Sequence, residues 1–324
     1  MAVEPLRSVR TVAFWSNDLP GRLAVGAGLA VALGLPFVLV GGDLRLMTTV
    51  WMFAALAQCW NFVGGYVGYA AFGNVVFFGL GGYATAAVML AGGPFGVGLL
   101  AGAVGCTLFA AVVGWLVLRL RGHYFAIATL GVAEATRELV LNFDPLGAAS
   151  GLSLPIARDS RLFYYLLLAL VVALAALTWW LTRSRLGYAF VAIRENEDAA
   201  AALGIDTYRY KIVAFALSAG FTGIVGGIYA YWSTFIDPST VFNSAYSVEM
   251  IAVCLIGGAG TILGPVIGSI LFELLAGQIW AHFISWHATI LGLVIIALVL
   301  FLPQGLASLR PGRWLGYRVV RHRG

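Results

Sequence analysis

Long stretches without any charged side chain constrain this chain more than any other feature of its sequence. The longest run that lacks Asp, Glu, Lys and Arg extends from Leu46 to Leu118. A helix needs about 20 apolar residues to cross the hydrocarbon core of a bilayer, so this run alone has room for about three crossings. Charged residues make up 10% of the chain, whereas soluble domains have about 25%. The chain is therefore predicted to lie in a membrane.

The glycine and aromatic content favours packed helices over a lipid-facing barrel. The chain contains 41 Gly and 13% aromatic residues, whereas the strands of a barrel alternate apolar and polar residues. We predict an all-α polytopic membrane protein with about ten transmembrane helices. The predicted spans are 23–40, 46–69, 70–91, 94–118, 123–141, 162–182, 212–232, 248–260, 262–282 and 287–302. Because 248–260 is short for a crossing, a broken or re-entrant element is the alternative there.

The distribution of basic residues predicts the orientation of the chain. An even number of spans places both termini on one side. Most of the 19 basic residues then fall in segments on that side, as the positive-inside rule requires of cytoplasmic segments. We expect a cytoplasmic N-terminal segment at 1–22, a transmembrane domain at 23–302 with a cytoplasmic loop at 183–211, and a cytoplasmic basic tail at 303–324.

The two halves of the chain have the pattern of an inverted repeat. Five spans precede the external loop 142–161 and five follow it, and an odd number of spans in each half gives the halves opposite orientations. Each half has one Gly-rich interruption: GGYVGYAAFGNVVFFGLGGY at 64–83 and GGAGTILGP at 257–265. The interruptions do not fall at the same span of each half, so the five-plus-five repeat is a hypothesis.

The loop 183–211 has the composition of a short helix from 195 to 204. Glu195, Glu197 and Asp198 lie near its expected start, where acids complement the helix dipole. Four alanines follow, and Gly204 can end the helix in the left-handed conformation. Such a helix suits docking into a groove on another protein. A solvated connecting helix is the alternative, but it does not require so apolar a middle.

Several stretches resemble one family of transport proteins. Asp198, Ala199, Ala200 and Gly204 have the spacing of the EAA loop of ABC importer permeases, with Asp in place of Glu. Longer stretches are similar to the LivM-type permeases of branched-chain amino-acid ABC importers: AIRENEDAAAALGIDTYRYKIVAFALSAGFTGIVGGIYA at 192–230, RLRGHYFAIATLGVAEATRELV at 119–140, LIGGAGTILGPVIGSIL at 255–271 and FLPQGL at 301–306. Several long matches in the same order are more specific than the Asp-Ala-Ala spacing alone.

The resemblance implies a transmembrane subunit of an ABC importer that moves branched-chain or similar small amino acids inward across a bacterial-type inner membrane. The implied partners are a second related permease, two ABC ATPase subunits, an external substrate-binding protein and membrane lipid. The chain has no GxxxxGK[ST] phosphate loop, so ATP is expected to be used by the partner subunits. No cofactor, metal, catalytic residue or nucleic acid is predicted for this chain. The residues implied to contact the ATPase are Arg194, Glu195, Asn196, Glu197, Asp198, Ala199, Ala200 and Gly204.

A second candidate site is the Gly-rich stretch of the first half. LivM-type proteins tend to read GYAGQLSLGHAAFFGIGAY there, whereas residues 65–83 read GYVGYAAFGNVVFFGLGGY. A path that keeps aromatic residues but loses polar groups suggests a cargo with apolar bulk. Close helix packing through small residues is the alternative. The candidates to line a translocation path are Tyr66, Tyr69, Asn74, Phe78 and Tyr83.

Ionisable residues within the span 123–141 are further candidates for the path. Glu134, Arg137 and Glu138 have the i, i+3, i+4 spacing of one helix face. Such groups in a membrane tend to pair and face the bundle interior, where Glu134 and Arg137 could meet the ammonium or carboxylate of an amino acid. A structural pair near the membrane surface is the alternative, because Asn142 and Asp144 follow closely.

Three other functions compete with the importer. A sister permease for urea or short amides would have the same architecture. An ion-driven secondary transporter would not need the docking loop. A membrane-embedded enzyme has little support, because the chain contains no nucleophile elbow, no paired catalytic carboxylates and no CxxC motif, and its four His and three Cys residues have no metal-ligand spacing.

Overall fold

The computed structural model describes residues 19–156, 159–282, 289, 292 and 293. This part of the chain is built almost entirely of helices, which confirms the all-α class. It contains a π-helical turn at Phe62–Val67 and a two-residue antiparallel pair of strands, β1 (Leu152–Ser153) and β2 (Phe235–Ile236). Its α-helices are α1 (Leu19–Val38), α2 (Gly42–Asn61), α3 (Val75–Leu90), α4 (Phe95–Val117), α5 (His123–Leu141), α6 (Ser160–Thr182), α7 (Arg185–Glu195), α8 (Glu197–Ala202), α9 (Thr207–Ser233), α10 (Pro238–Val241), α11 (Ser244–Gly257) and α12 (Gly264–His282).

Nine of the ten predicted spans overlap one of these helices, and the tenth, 287–302, lies outside the described residues apart from single positions. Five apolar stretches among the described residues are long enough to cross a membrane by length and composition. They are Gly42–Val67, Phe95–Val117, Ser160–Thr182, Thr207–Ser233 and Pro238–Gly257. The count of ten spans and the inverted repeat therefore stay predictions.

Helix α9 packs against α3 and α4 at glycines that bring the backbones together. A Cβ atom on Gly81 of α3 would lie 2.2 Å from the carbonyl oxygen of Gly223, and one on Gly226 would lie 1.9 Å from that of Phe78. On the α4 side, a Cβ atom on Gly223 would lie 2.8 Å from the sulfur of Cys106. Small residues allow this approach because membrane helices associate through close packing rather than through a hydrophobic driving force.

Helices α3 and α11 both begin inside the bundle. The side chain of Asn74, which precedes α3, donates a hydrogen bond of 3.0 Å to Ser218 Oγ near the middle of α9. The backbone N–H of Val75 donates to Ser247 Oγ in the first turn of α11 at 3.2 Å. The two helix starts therefore meet at mid-length of α9.

The structure corrects the predicted span 248–260, because α11 begins at Ser244 and ends at Gly257. The short helix α10 precedes it, and the two are separated at Phe242 and Asn243. The side chain of Asn243 accepts a hydrogen bond from Ala245 N and so caps α11. The apolar stretch Pro238–Gly257 is thus interrupted at Phe242 and Asn243, before the predicted span begins, and the broken or re-entrant alternative for 248–260 stays a prediction.

The bundle has two distinct ends. We call the end that carries α7 and α8 the loop end, and the end that carries β1 and β2 the far end. Helix α2 runs toward the loop end and α12 runs away from it, since Asn61 contacts Thr261 at the loop end whereas Gly277 lies beside Leu46. The candidate contacts with an ATPase are therefore at one end of the molecule.

Candidate functional site

The predicted single helix 195–204 is wrong, because the loop contains two helices that are separated at Asn196. Arg194 and Glu195 belong to the last turn of α7, and α8 begins at Glu197. Asn196 has an extended backbone, and its side chain accepts a hydrogen bond of 2.9 Å from Ala199 N. This N-cap favours a new helix start over a continued helix. The end of α8 is confirmed, since Gly204 has the left-handed φ of +85°.

The predicted spans 46–69 and 70–91 are also corrected, because a non-helical segment separates α2 from α3. The π-helical turn extends α2 only to Val67, and Gly68 ends it with a φ of +82°. The chain does not resume a helix until Val75. We call residues 65–69, which are the end of the π-helical turn and the two residues after it, the first break. We call residues 258–261, between α11 and α12, the second break. Each break contains glycines at positive φ, namely Gly68, Gly258 and Gly260.

Arg194 of α7 contacts both breaks. Its Nη1 donates a hydrogen bond of 3.0 Å to the carbonyl oxygen of Gly65. Its Nη1 also lies 2.7 Å from the position that a Cβ atom on Gly260 would occupy, and its Cγ lies 2.8 Å from the corresponding position on Gly68. Its Nη2 is paired with Glu195 at 3.0 Å. Side chains at these glycines would therefore collide with the arginine.

Asn61, at the end of α2, joins the two breaks directly. Its Oδ1 accepts a hydrogen bond of 2.7 Å from Gly260 N, and its Nδ2 donates one of 2.9 Å to the carbonyl oxygen of Thr261. A Cβ atom on Gly65 would lie 2.5 Å from Gly260 N. Asn61 and Gly260 are 199 residues apart in the chain, and their contact places the two Gly-rich interruptions against each other at the loop end.

Glu197 of α8 points into the protein and not toward solvent. Lys211 Nζ donates a hydrogen bond of 2.7 Å to one carboxylate oxygen, and the hydroxyl of Tyr69 donates to the other. Lys211 also donates to the carbonyl oxygen of Leu118 at 3.1 Å and is 4% exposed. Burial raises the pKa of Glu197, but the hydrogen bonds from Lys211 and Tyr69 outweigh burial and hold this pKa below its usual value. The carboxylate therefore stays ionised and attached at neutral pH.

The surface of α8 that faces solvent is mostly apolar. Asp198 has 79% of its side chain exposed and pairs with Arg121 at 2.9 Å. Leu203, which follows α8, is 83% exposed, whereas Ala200 is buried against the bundle. Ala199, Ala201 and Ala202 are exposed beside it. Four apolar side chains on one short, anchored segment make a small surface to which another protein can bind. We call 198–203 the exposed edge.

The residues predicted to line a path do not come together around an opening. Phe78 and Tyr83 are buried in aromatic packing, with Tyr83 stacked on Phe242 at a centroid distance of 6.0 Å. Asn74 is fully buried against Ser218. Tyr66 is 4% exposed. These four residues support the alternative of close packing in this conformation, and Tyr69 is part of the contact with Glu197 instead.

The ionisable residues of α5 lie apart from this group. Arg137 pairs with Glu134 at 3.0 Å and with Glu138 at 3.3 Å, so the predicted shared helix face is confirmed. The three side chains are 34%, 48% and 59% exposed for Arg137, Glu134 and Glu138. Their face is on the outside of this chain and not in its packed interior.

Sequence reasoning missed two residues that organise the loop end. Lys211 had a usable signal, because it is the only lysine in a chain with 19 basic residues, and a buried Lys needs a partner. Asn61 had a weaker signal, as a polar residue at the end of an apolar span. The role of Asn61 depends on its contact with the second break, and no local sequence pattern predicts that contact.

The chain is similar to permeases of known transport systems. Residues 42–302 match the family model described as branched-chain amino acid transport system, permease component. The high-affinity branched-chain amino acid transport system permease protein LivM of Escherichia coli K12 is 30% identical over 88% of this chain and 74% of that protein. LivM of Salmonella typhimurium is 29% identical with the same coverage.

A second group of relatives has a different printed cargo. The autoinducer 2 import system permease protein LsrC of Photorhabdus laumondii is 28% identical over 46% of this chain and 46% of that protein. LsrC of Yersinia enterocolitica is 31% identical over 54% of this chain and 51% of that protein. No solved structure matches the chain.

Proposed function

The chain belongs to the family of branched-chain amino acid transport system permease components, and on this premise we propose that it forms the transmembrane part of an ABC importer. In this proposal the chain pairs with a second related permease. Two ATPase subunits bind at the loop end, and an external binding protein delivers the cargo at the far end. The residues with which the chain would contact the ATPase are those of the exposed edge.

The anchored exposed edge is the single observation that carries this proposal. Its outer side is apolar and exposed, at Leu203 above all. Its inner side is fixed to α9 through the pair of Glu197 and Lys211 at 2.7 Å. A loop that only connected two spans would need neither feature. A surface through which a partner transmits a movement needs both features, because a loosely held helix would move without moving the bundle.

Direct contacts would transmit a movement of α8 to the membrane helices. Arg194 and Glu197 flank Asn196 and hold the first break at its two ends, Gly65 and Tyr69. The first break continues through residues 70–74 to the start of α3, inside the bundle. Displacement of α8 by ATPase closure would therefore shift α3 and, through Asn61, the second break. Rigid elements that move about a few non-helical residues are a recurrent form of domain motion.

The cargo that best fits the relatives is a branched-chain or similar small amino acid. The LivM relatives match over 88% of the chain, whereas the LsrC relatives match over about half of it or less. Both groups are named for the transport of small molecules, so the longer match decides the choice. We further propose that the chain lies in a bacterial inner membrane, with ten spans and both termini in the cytoplasm, as the basic residues indicate.

Co-purification of ATPase subunits and uptake of leucine test the proposal. Leu203→Glu places a charge on the exposed edge and is expected to reduce both by at least about tenfold, because an unpaired charge in a docking surface costs about 2 kcal/mol or more. Ile156→Glu is the matched control, since Ile156 is also 83% exposed but lies at the far end; it should retain the ATPase.

Two further variants disturb how the exposed edge is held. Arg194→Glu reverses the charge at the first break, and Gly204→Pro removes the left-handed end of α8. Both are expected to leave ATP turnover in the complex while uptake falls. Normal uptake in both variants, or normal ATPase retention in Leu203→Glu, would contradict the proposed docking surface.

A further inference from the structure

The outer face of α5 carries three ionisable side chains that no other helix covers completely. Arg137 and Glu134 are 3.0 Å apart, and both have at least a third of their side chain exposed. Glu138 is 59% exposed. The Nε of Arg137 is buried and has no hydrogen-bond partner among the described residues. Ser244 donates a hydrogen bond of 3.3 Å to Glu134, so this face adjoins the start of α11.

The depth of these residues in the bundle can be counted from the loop end. Lys211 of α9 contacts the carbonyl of Leu118 at 3.1 Å, and α5 begins shortly afterwards at His123. At a rise of about 1.5 Å per residue, Glu134 lies about 16 Å along α5. Glu134 is 11 residues beyond His123, and Thr222 is 11 residues beyond Lys211, near the middle of α9. Glu134 is therefore near mid-depth of the bundle.

A second set of contacts gives the same depth. Phe72 N donates to Thr129 Oγ1 of α5 at 3.1 Å, and Asn74 donates to Ser218 of α9 at 3.0 Å. Thr129 therefore lies near the level of Ser218, and Glu134 lies about 7 Å farther from the loop end. This again places Glu134 at the level of the middle of α9.

Charged groups at this depth do not face lipid without a large cost. Arg, Asp and Glu side chains at the centre of a membrane helix are costly to insert, and such groups normally face a bundle interior or a water-filled cavity. At the same depth α4 has the opposite character, since Val104, Leu108 and Val112 are exposed and apolar. Helix α5 therefore exposes charged side chains beside the apolar Leu130 and Leu139, whereas the exposed side chains of α4 at this depth are apolar. The charged part of the α5 surface is suited to water, and the exposed face of α4 is suited to lipid.

From these observations we propose that the face of α5 around Glu134, Arg137 and Glu138 lines a water-filled passage for a zwitterionic amino acid. Glu134 and Arg137 neutralise each other when the passage holds no solute. A passing amino acid can exchange with this pair, because its ammonium suits the Glu134 carboxylate and its carboxylate suits the guanidinium of Arg137. The identity of the solute rests on the proposed function; the passage itself does not.

Cysteine labelling tests whether the face meets water. Ala135 is exposed and precedes Glu138 by three residues, so the two lie on the same side of α5. Ala135→Cys therefore probes the face without removing a charge. Leu108→Cys is the matched control, because Leu108 is 62% exposed at a similar depth. The three native cysteines are at most 2% exposed and provide the background. The measurement uses a charged, membrane-impermeant thiol reagent on membranes that contain the chain with its own partner subunits.

We expect Ala135→Cys to react at least about tenfold faster than Leu108→Cys, because only a hydrated thiol ionises readily to the reactive thiolate. Equal rates in the two variants, or no reaction at either position, would overturn the proposal. Excess leucine should slow the reaction at Ala135→Cys and not that of an exposed cysteine at the far end, Ile156→Cys.

A charge-neutral double variant tests the solute. Glu134→Gln with Arg137→Gln should lower leucine uptake by at least about tenfold, since hydrogen bonds between two charged groups are stronger than those that a glutamine amide can offer the solute. Ala135→Cys labelling in the double variant should stay fast. Unchanged uptake would overturn the role of the pair. Fast labelling in a complex that contains no ATPase would instead contradict the proposed function while it supports the passage.

Discussion

The hydroxyl of Tyr164 donates a hydrogen bond of 2.6 Å to the carbonyl oxygen of Ala32. This carbonyl lies four residues before Pro36 in α1, and proline has no N–H with which to pair it. Ala32 is 4% exposed and Tyr164 is fully buried. Helix α6 therefore supplies the donor that α1 lacks, and this bond fixes α1 to the bundle.

Removal of this hydroxyl should destabilise the protein. Tyr164→Phe leaves the Ala32 carbonyl buried without a partner, at an expected cost of about 1–3 kcal/mol in the free energy of unfolding. Tyr165→Phe is the control, because Tyr165 bonds to the Leu33 carbonyl at 3.1 Å in an exposed position; its expected cost is below about 0.5 kcal/mol. Denaturant unfolding in detergent measures both, and equal losses would contradict the importance of Pro36.

The contact between α3 and α9 should not tolerate a methyl group. Gly81→Ala places a Cβ atom 2.2 Å from the Gly223 carbonyl oxygen, and overpacking of this kind costs about 1–3 kcal/mol. Gly105→Ala on α4 is the control, because nothing lies within 4 Å of its Cβ position, and alanine favours a helix by up to about 1 kcal/mol. Thermal unfolding should show a lower midpoint for Gly81→Ala only. A midpoint that is unchanged would mean that the two backbones are farther apart.

The amide of Asn61 should control the second break. Asn61→Leu removes the partners of both Gly260 N and the Thr261 carbonyl, so exchange of the amide hydrogens at 258–261 should become at least about tenfold faster, a change of about 1.4 kcal/mol. Asn61→Asp keeps the acceptor and should have an intermediate effect. Asn142→Leu is the control, because the side chain of Asn142, just after α5, donates to the nearby Glu138 carbonyl at 2.8 Å and makes no other hydrogen bond to a residue that the structure describes. Mass spectrometry of the peptide that contains Gly260 would detect each change.

The attachment of α8 to the bundle should change with pH only at acidic pH. The pKa of Glu197 is held below its usual value by Lys211 and Tyr69 although burial raises it. A lowered carboxyl pKa stabilises the attached state fully above the ordinary glutamate pKa of about 4.3, and this stabilisation is lost as the pH falls through the lowered pKa. No release is therefore expected between pH 8 and 5 by this group.

Spin labels at Ala202 on α8 and Leu116 on α4 can follow this release. The distance distribution between the labels should stay narrow from pH 8 to about pH 5 and broaden below the ordinary carboxyl pKa of about 4.3. Glu197→Gln lacks the titrating group and should show a broad distribution at every pH. Broadening near pH 6 in the unaltered chain would point to a different titrating group.

Much of the fold was predictable because local rules dictate it. Apolar length predicted nine helices in the right order, although the ends of spans 46–69, 70–91 and 248–260 needed correction. The left-handed tendency of Gly204 gave the end of α8 correctly. The i, i+3 spacing of Glu134 and Arg137 gave their pairing. The interruption at Asn196 was not predicted, although its side chain is a good N-cap, because the run of charged and alanine residues is compatible with one longer helix.

The sequence by itself determined that this chain is a helical membrane protein whose loop 183–211 carries a short alanine-rich helix, since hydrophobic length and helix ends depend on neighbouring residues. Only the tertiary structure decided which side of α8 faces inward, that Asn61 joins two distant breaks, and that the charged face of α5 lies uncovered at mid-depth. Those outcomes depend on pairs such as Tyr69 and Glu197, 128 residues apart. The geometry that brings such pairs together comes from the packing of whole helices.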